Sequence, residues 1–208
     1  TEGYEADDII AALSCRAVDA GGSCTIISSD KDLMQLIRPG VDMFDPMKSR
    51  QIGPDEVMEK FGVGPDRVID VQSLAGDSVD NVPGAPGIGL KTAALLINEY
   101  GDLDTLLARA GEIKQPKRRE ALVDNADQIR ISRELVTLKA DTPLDVTLDD
   151  LTIRLPEADK IMDFLTKMEF RTLTKRVADK LGIAAPALPD TSQLTVSPRD
   201  EAPKATEE

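Results

Sequence analysis

The sequence predicts an α/β domain that is followed by a helical domain. Apolar residues recur at helical spacing over residues 5–20, and this pattern stops at the glycine pair Gly21-Gly22. Residues 24–28 form a short apolar run typical of a strand, and a brief helical pattern follows at 33–37. From residue 54 onward the patterns are helical. This order indicates a small sheet with its own helices, then a helical body.

The remaining elements are predicted in chain order. Residues 41–44 and 50–52 flank a turn-like segment at 45–48 and favour a small hairpin. Helices are then predicted over residues 54–61, 65–75, 90–100, 103–110, 117–138, 157–168 and 172–181. The helices that begin at residues 54 and 65 open with proline and an acidic residue, as first helical turns prefer.

We expect three parts: an α/β domain at residues 1–75, a helical domain at 76–182 and a tail at 183–208. The tail is rich in Ala, Pro, Ser, Thr and acidic residues and holds almost no large apolar side chain. Such a composition buries too little surface to offset chain entropy, so the tail is predicted to be a disordered linker.

Composition excludes several classes of protein. The chain of 208 residues contains no histidine, which removes Ser-His-Asp and Cys-His catalysis and the commonest zinc ligand. No run of eighteen apolar residues and no basic leader is present, so we expect no membrane partner and a cytoplasmic location. The net charge of −13 is unusual for a nucleic-acid-binding protein. Bound cations would offset much of that charge locally.

Acidic residues gather in three groups that suggest a metal site. Clustered carboxylates repel one another, and proteins usually gather them around hard divalent cations. The second group follows a predicted strand, where open α/β sheets build their sites, and the third precedes a glycine-rich turn. The candidate catalytic and metal-binding residues are Glu5, Asp7 and Asp8, then Asp30 and Asp32, then Asp77 and Asp80.

Each acidic group also has a purely structural interpretation. Acidic residues stabilise the first turn of a helix, Asp30 is placed to cap the next helix, and Asp77 is a common turn former. On an ideal helix Asp7 points away from Glu5, so a shared site requires Glu5 to lie just before the regular turns. A separation above roughly 12 Å between the second and third groups would exclude a shared site.

Residues 83–93 contain the most specific local signal. The two glycines Gly87 and Gly89 flank Ile88, and Lys91 and Thr92 follow, which matches the helix-hairpin-helix pattern. In this pattern backbone N–H groups hold a DNA phosphate without reading bases. The alternative is a tight loop that only joins two helices. Two weaker basic groups follow, and either can be a solvated face: Lys114, Lys117, Arg118 and Arg119, and Lys167, Arg171 and Lys175.

Four segments of the chain resemble the 5′-to-3′ exonuclease domain of bacterial DNA polymerase I, of the flap endonuclease family. The likeness is collinear from residue 3 to about 182 and includes a closing pattern at 164–170. The segments are Gly3-Tyr4-Glu5-Ala6-Asp7-Asp8, Ser29-Asp30-Lys31-Asp32-Leu33, Gly76-Asp77-Ser78-Val79-Asp80-Asn81-Val82-Pro83-Gly84 and Pro86-Gly87-Ile88-Gly89-Leu90-Lys91-Thr92-Ala93.

The resemblance implies a PIN-like nuclease sheet followed by a helix-hairpin-helix domain. It further implies a structure-selective nuclease that removes 5′ flaps and RNA primers from DNA with two or three Mg²⁺ or Mn²⁺ ions. The three acidic groups correspond to the family's metal ligands. The hairpin would hold the duplex part of the substrate, sometimes with a monovalent cation on its backbone carbonyls.

Complete members of the family begin with a segment that carries two more carboxylates and a basic helical arch. We therefore expect this chain to be a fragment of a larger polymerase that cleaves flaps more slowly, and binds divalent metal more weakly, than the completed chain. Two function classes stay open: a metal-dependent phosphodiesterase, and a sequence-independent duplex-binding module with an incomplete site. An Asp-x-Asp phosphotransferase is disfavoured because Leu33 replaces the expected polar residue.

Overall fold

The computed structural model describes residues 2–184 and divides the chain into two compact units, Thr1–Leu151 and Thr152–Glu208. The expected domain boundary near Ala75 lies inside the first unit and stays a prediction. Of the tail predicted at 183–208, all but Ile183 and Ala184 lies outside the described residues.

The helices and strands follow the predicted α/β-then-helical order. The strands are β1 (Cys24–Ile27), β2 (Val41–Asp45) and β3 (Arg50–Ile52). The helices of the first unit are α1 (Ala6–Asp19), α2 (Pro54–Phe61), α3 (Val68–Ala75), α4 (Leu90–Tyr100), α5 (Leu103–Ala108), α6 (Pro116–Asp124) and α7 (Ala126–Val136). Those of the second unit are α8 (Ala158–Lys167) and α9 (Arg171–Leu181).

The sheet has the order β1-β2-β3. Strands β1 and β2 are parallel, with Cys24 opposite Val41, and the 3-10 turn Asp32–Leu36 lies in the connection between them. Strands β2 and β3 form the predicted antiparallel hairpin, with Met43 opposite Ile52. The α/β prediction is therefore confirmed, and the parallel pair places the residues after β1 at the carboxyl edge of the sheet.

Two predicted helices are interrupted. The helix expected over 117–138 is divided at Asn125, whose φ of −114° and ψ of 20° are not helical and whose amide donates to the carbonyl of Ala121. The helix expected over 65–75 begins as the 3-10 turn Pro65–Arg67 before α3 starts. Asparagine and proline both favour such local breaks over continuous helix.

One hydrophobic cluster joins the sheet and the helices of the first unit. Helix α3 is central to it, since Val68, Val71 and Leu74 are fully buried. Burial of such side chains stabilises the fold by about 1.5–3 kcal/mol each. Helix α3 therefore gives a rigid support to the residues that follow it. Within residues 2–184 the helices are all too short or too polar to cross a membrane.

Candidate metal site and phosphate-binding turn

The predicted acidic groups meet in one cleft of the first unit. Six of the seven carboxylate residues line this cleft, which has a volume of about 430 Å³. Residues of α3 and the end of α7 complete its wall. The acidic residues are Glu5, Asp7, Asp30, Asp32, Asp77 and Asp80.

The tightest part of the cleft is formed by Asp32, Asp77 and Asp80. Each of these residues offers a carboxylate oxygen, and the three oxygens lie within 4.8 Å of one another. The second and third acidic groups therefore lie well inside the separation that a shared site allows. Three carboxylate oxygens at this spacing fit a hard divalent cation such as Mg²⁺, Mn²⁺ or Ca²⁺. We name this set the acidic trio.

The loop that carries Asp77 and Asp80 is closed at its base. The N–H of Asp77 donates to the carbonyl of Val82 at 2.9 Å, and the N–H of Val82 donates back at 2.7 Å. Beyond this bridge, Gly76 and Gly84 pass in close backbone contact, and both have positive φ. The loop is therefore a compact turn on the end of α3, which fixes where its carboxylates point.

Helix α7 anchors this loop from the other side. The buried hydroxyl of Ser132 accepts from the N–H of Gly84 at 3.0 Å, and the amide of Gln128 donates to the Gly84 carbonyl at 2.8 Å. The backbone N–H and the backbone carbonyl of Gly84 therefore both form hydrogen bonds with side chains of α7. Sequence reasoning did not find these two residues, because a Ser or Gln in a helix gives no signal by itself.

Lys31 makes a close charge contact with two carboxylates of the cleft. Its ammonium lies 2.6 Å from Oδ2 of Asp77 and 3.4 Å from Oδ1 of Asp32. The hydrogen bond from Lys31 holds the pKa of Asp77 below its usual range, and the backbone N–H of Val79 adds to this effect. Lys31 was passed over at the sequence level, although its position between two acidic residues was a usable signal.

Asp32 is oriented by three neighbours. Its own N–H donates to Oδ1 of Asp30, and the amide of the buried Gln72 donates to its carboxylate. Burial raises the pKa of Asp32, against the opposing effects of Gln72 and Lys31. The other amide atom, Oε1 of Gln72, is buried and has no hydrogen-bond partner among the described residues. Gln72 was also missed at the sequence level.

The first acidic group divides between the cleft and the chain beside it. Glu5 is the residue that precedes α1, as a shared site requires. Asp7 lines the cleft, and its pKa is raised by burial and by the negative charges of Asp30 and Asp32. Asp8 is not among the residues that line the cleft. Its two oxygens instead accept from the backbone N–H groups of Glu5, at 3.1 Å, and Lys139, at 2.8 Å.

A second polar anchor ties the end of α7 to the 3-10 turn between β1 and β2. The side chain of Gln35 donates to the carbonyl of Val136 at 2.9 Å and accepts from the N–H of Leu138 at 3.1 Å. Val136 and Leu138 line the acidic cleft. Gln35 and Asp8 therefore position the same wall of the cleft from two sides.

The predicted phosphate-binding turn lies immediately before α4. Gly87 has a φ of 74°, Gly89 precedes the first residue of the helix, and both glycines are exposed. A Cβ atom at either glycine would meet nothing within 4 Å. Ile88 is buried and fixes the turn from below, while Lys91 is exposed and Thr92 half-buried in the first turn of α4. The backbone of the turn is thus open to a ligand, as a helix N-terminus that binds phosphate requires.

The basic groups have different surroundings. Lys114 and Lys117 are exposed beside the start of α6, and the guanidinium of Arg119 donates to the carbonyl of Ile113. Lys167 in the second unit forms an ion pair with Asp163 at 2.7 Å. Exposed ion pairs of this kind are worth little, so neither group defines a site by itself.

The first unit thus combines a small sheet, an acidic cleft and an open turn before α4. The family model for the 5′-3′ exonuclease, N-terminal resolvase-like domain matches residues 1–62, and that for the 5′-3′ exonuclease, C-terminal SAM fold matches residues 63–159. The chain belongs to the 5′-3′ exonuclease family.

Bacterial proteins are among the relatives of the chain. DNA polymerase I of Rhizobium leguminosarum is 57% identical over 188 residues, which cover 90% of this chain and 18% of the polymerase. The 5′-3′ exonuclease of Aquifex aeolicus is 36% identical over 179 residues, which cover 86% of this chain and 60% of that protein. The chain thus spans about a fifth of the polymerases that it matches.

Solved structures support the fold. The bacteriophage T5 5′-exonuclease with bound zinc ions superimposes with a TM-score of 0.63 at 24% identity, covering 67% of this chain and 52% of that one. The T5 flap endonuclease in complex with DNA and metal ions gives a TM-score of 0.62 with the same identity and coverage. At this identity the likeness concerns the fold.

Proposed function

We propose that the chain is the 5′-nuclease part of a DNA polymerase I, a metal-dependent phosphodiesterase that removes 5′ flaps and RNA primers during replication and repair in the bacterial cytoplasm. The observation that carries the proposal is the acidic trio, three carboxylate oxygens within 4.8 Å that come from two segments far apart in sequence. The family membership and the DNA polymerase I relatives support it.

The cleft residues divide into two sets of ligands in this proposal. Asp32, Asp77 and Asp80 hold one divalent ion, and Glu5, Asp7 and Asp30 contribute to a second metal position. We expect Mg²⁺ or Mn²⁺ at both positions, because carboxylate oxygens are the ligands that such hard cations prefer. A bound divalent ion supplies charge neutralisation and lowers the pKa of an attacking water. The T5 5′-exonuclease, which shares this fold, binds zinc ions, and this supports a site for divalent metal.

Other residues of the chain hold the carboxylates of the site in fixed positions. Gln72 holds Asp32, and the closed loop from Gly76 to Gly84 holds Asp77 and Asp80. Such fixed carboxylates need little reorganisation when charge develops on a phosphodiester, which lowers the barrier. No histidine base is required, in agreement with the composition.

In this proposal the turn before α4 binds the duplex part of the DNA substrate. Backbone N–H groups at Gly87 and Gly89 hold a phosphate of the duplex, Lys91 adds a positive charge, and the helix dipole of α4 favours the anion. A monovalent cation on the carbonyls of this turn belongs to the same proposal. We further propose that the division of labour falls near Ala75, with the sheet domain cutting and the helical domain holding DNA.

The direct test is cleavage of a labelled 5′-flap DNA in the presence and absence of Mg²⁺. We expect cleavage that requires the metal, is stopped by a chelator, and falls by about 100-fold or more in Asp80→Asn, since one ligand of the trio is lost. Asp159→Asn, an exposed aspartate of the second unit, serves as the matched control and should cleave normally. Cleavage that is independent of metal, or unchanged in Asp80→Asn, would contradict the proposal.

The alternative function is a duplex-binding module without its own cleavage, and the open turn before α4 favours it. The two functions are separated by measuring duplex binding and flap cleavage on the same preparation. Binding that weakens steeply with salt in the absence of any metal-dependent cleavage would support the module alone.

A further inference from the structure

We propose that Lys31 is the resident counter-cation of the acidic cleft: its ammonium holds Asp32 and Asp77 together when no divalent ion is bound, and a divalent ion displaces it. This inference rests on the proposed metal site and adds a control on how tightly that site binds metal. Lys31 then lowers the affinity for the ion and stabilises the metal-free chain.

The contact geometry supports this role. The ammonium of Lys31 is 2.6 Å from Asp77 and 3.4 Å from Asp32, so one positive charge bridges two of the three carboxylates of the trio. The Asp77 side chain is only 11% exposed, and that of Asp32 is 25% exposed. Solvent therefore screens these charges less than it screens charges on an open surface.

Lys31 and a divalent ion compete for the same carboxylates. Three carboxylates within 4.8 Å repel each other strongly unless a cation lies among them. A lysine side chain and a divalent ion both meet this need. An ion among the three carboxylates would lie close to the ammonium that bridges Asp77 and Asp32, and the two cations would repel each other. Metal binding therefore favours movement of the ammonium away from the trio.

The structure offers the displaced ammonium another environment. Lys31 lines a neighbouring cavity of about 310 Å³, whose acidic residues are already paired with Lys48 and Arg50. The Lys31 side chain is 34% exposed, so its long stem has room to rotate. The lysine can thus leave the trio for a partly solvated position at this cavity.

The inference predicts two effects of opposite sign for Lys31→Met, which keeps the length of the stem and removes the charge. Without divalent ions the variant should unfold at a lower temperature than the parent chain, because the carboxylates lose their counter-charge. Its dissociation constant for Mn²⁺ should fall by about two- to fivefold, the range that a partly exposed ion pair supports. If Lys31 only stabilised the fold, its replacement by methionine would not tighten metal binding.

Mn²⁺ titration followed by electron paramagnetic resonance, with thermal unfolding at each metal concentration, measures both effects. Lys31→Gln tests the loss of charge with a second side chain, and Lys31→Arg, which retains the charge, should bind Mn²⁺ with nearly the parent affinity. Lys48→Met is the matched control, since Lys48 pairs with Asp45 at 3.7 Å outside the trio. Gln72→Leu loosens Asp32 without changing charge and should not tighten binding.

Tighter Mn²⁺ binding in both neutral variants, with a larger stabilisation by Mn²⁺ than in the parent chain, supports the inference. Equal or weaker Mn²⁺ binding in Lys31→Met and Lys31→Gln, while the parent chain binds Mn²⁺ and cleaves DNA, overturns this inference and leaves the proposed function intact. If the parent chain binds no Mn²⁺, the proposed function and the inference fail together.

Discussion

The backbones of Gly76 and Gly84 meet at the base of the acidic loop, so that a Cβ atom on Gly76 would lie 3.0 Å from the nitrogen of Gly84 and 2.6 Å from the carbonyl oxygen of Val82. Both glycines have positive φ, at 69° and 60°. Real side chains do not tolerate such approaches, so glycine is required at both positions. The contact explains why glycines bracket Asp77 and Asp80.

We predict that Gly84→Ala disrupts the loop and with it the metal site. The change should lower the free energy of unfolding by about 1–3 kcal/mol or more, because the new methyl group meets backbone atoms and the positive φ becomes strained. Mn²⁺ affinity should fall as well. Gly111→Ala, where an added Cβ meets nothing within 4 Å, is the control for urea unfolding and should remain near the parent value.

Asp7 and Asp8 should respond differently to amide substitution. Asp7→Asn should weaken Mn²⁺ binding and raise the stability of the metal-free chain, because Asp7 is a partly buried carboxylate among negative neighbours. Asp8→Asn should leave Mn²⁺ affinity nearly unchanged and cost about 1–2 kcal/mol of stability, because one of two backbone donors loses its acceptor. Calorimetry of both variants measures these effects, and strong loss of metal binding in Asp8→Asn would contradict the assignment.

Gly89→Val should weaken duplex binding by about tenfold, because the branched side chain blocks the close approach of a phosphate to the backbone N–H groups and weakens a charge-assisted hydrogen bond. The fold should be unaffected, since φ at Gly89 is −94° and an added Cβ atom would meet nothing within 4 Å. Fluorescence anisotropy with duplexes of different sequence should show equal losses for all of them. Losses that depend on base sequence would contradict phosphate recognition by this turn. Gly111→Val is the matched control.

The largely buried Asp70 should impose a pH dependence on stability. Burial raises the pKa of Asp70 above its ordinary value of 3.8, although the N–H of Leu103 and the charge of Arg67 oppose the shift. The folded chain therefore binds this proton more tightly than the unfolded chain, and the stability so gained is lost as pH rises through the folded pKa. The stability of Asp70→Asn relative to the parent chain should rise with pH just above 3.8.

Unfolding at several pH values checks this prediction, with Glu120→Gln, an exposed residue of α6, as the control for loss of one negative charge. A stability difference between Asp70→Asn and the parent chain that falls as pH rises would show that the sign of the pKa shift is wrong.

The sequence predicted the α/β order and the convergence of the acidic groups because helical periodicity, strand position and glycine-rich turns are local signals. It did not predict the roles of Gln72, Gln128 and Ser132, since a polar residue in a helix looks the same whether it faces solvent or a distant loop. The orientation of Asp8 was equally hidden, because its partner Lys139 lies 131 residues away. Tertiary contacts decide such features, and neither spacing nor composition encodes them.

The most direct test of the account is the position of Mn²⁺ in crystals of the chain, located by anomalous diffraction. The account predicts a peak bounded by the carboxylates of Asp32, Asp77 and Asp80, with the ammonium of Lys31 moved away from Asp77. Well-diffracting crystals grown in Mn²⁺ that show no peak among these three carboxylates, with Lys31 still paired to Asp77, would contradict it.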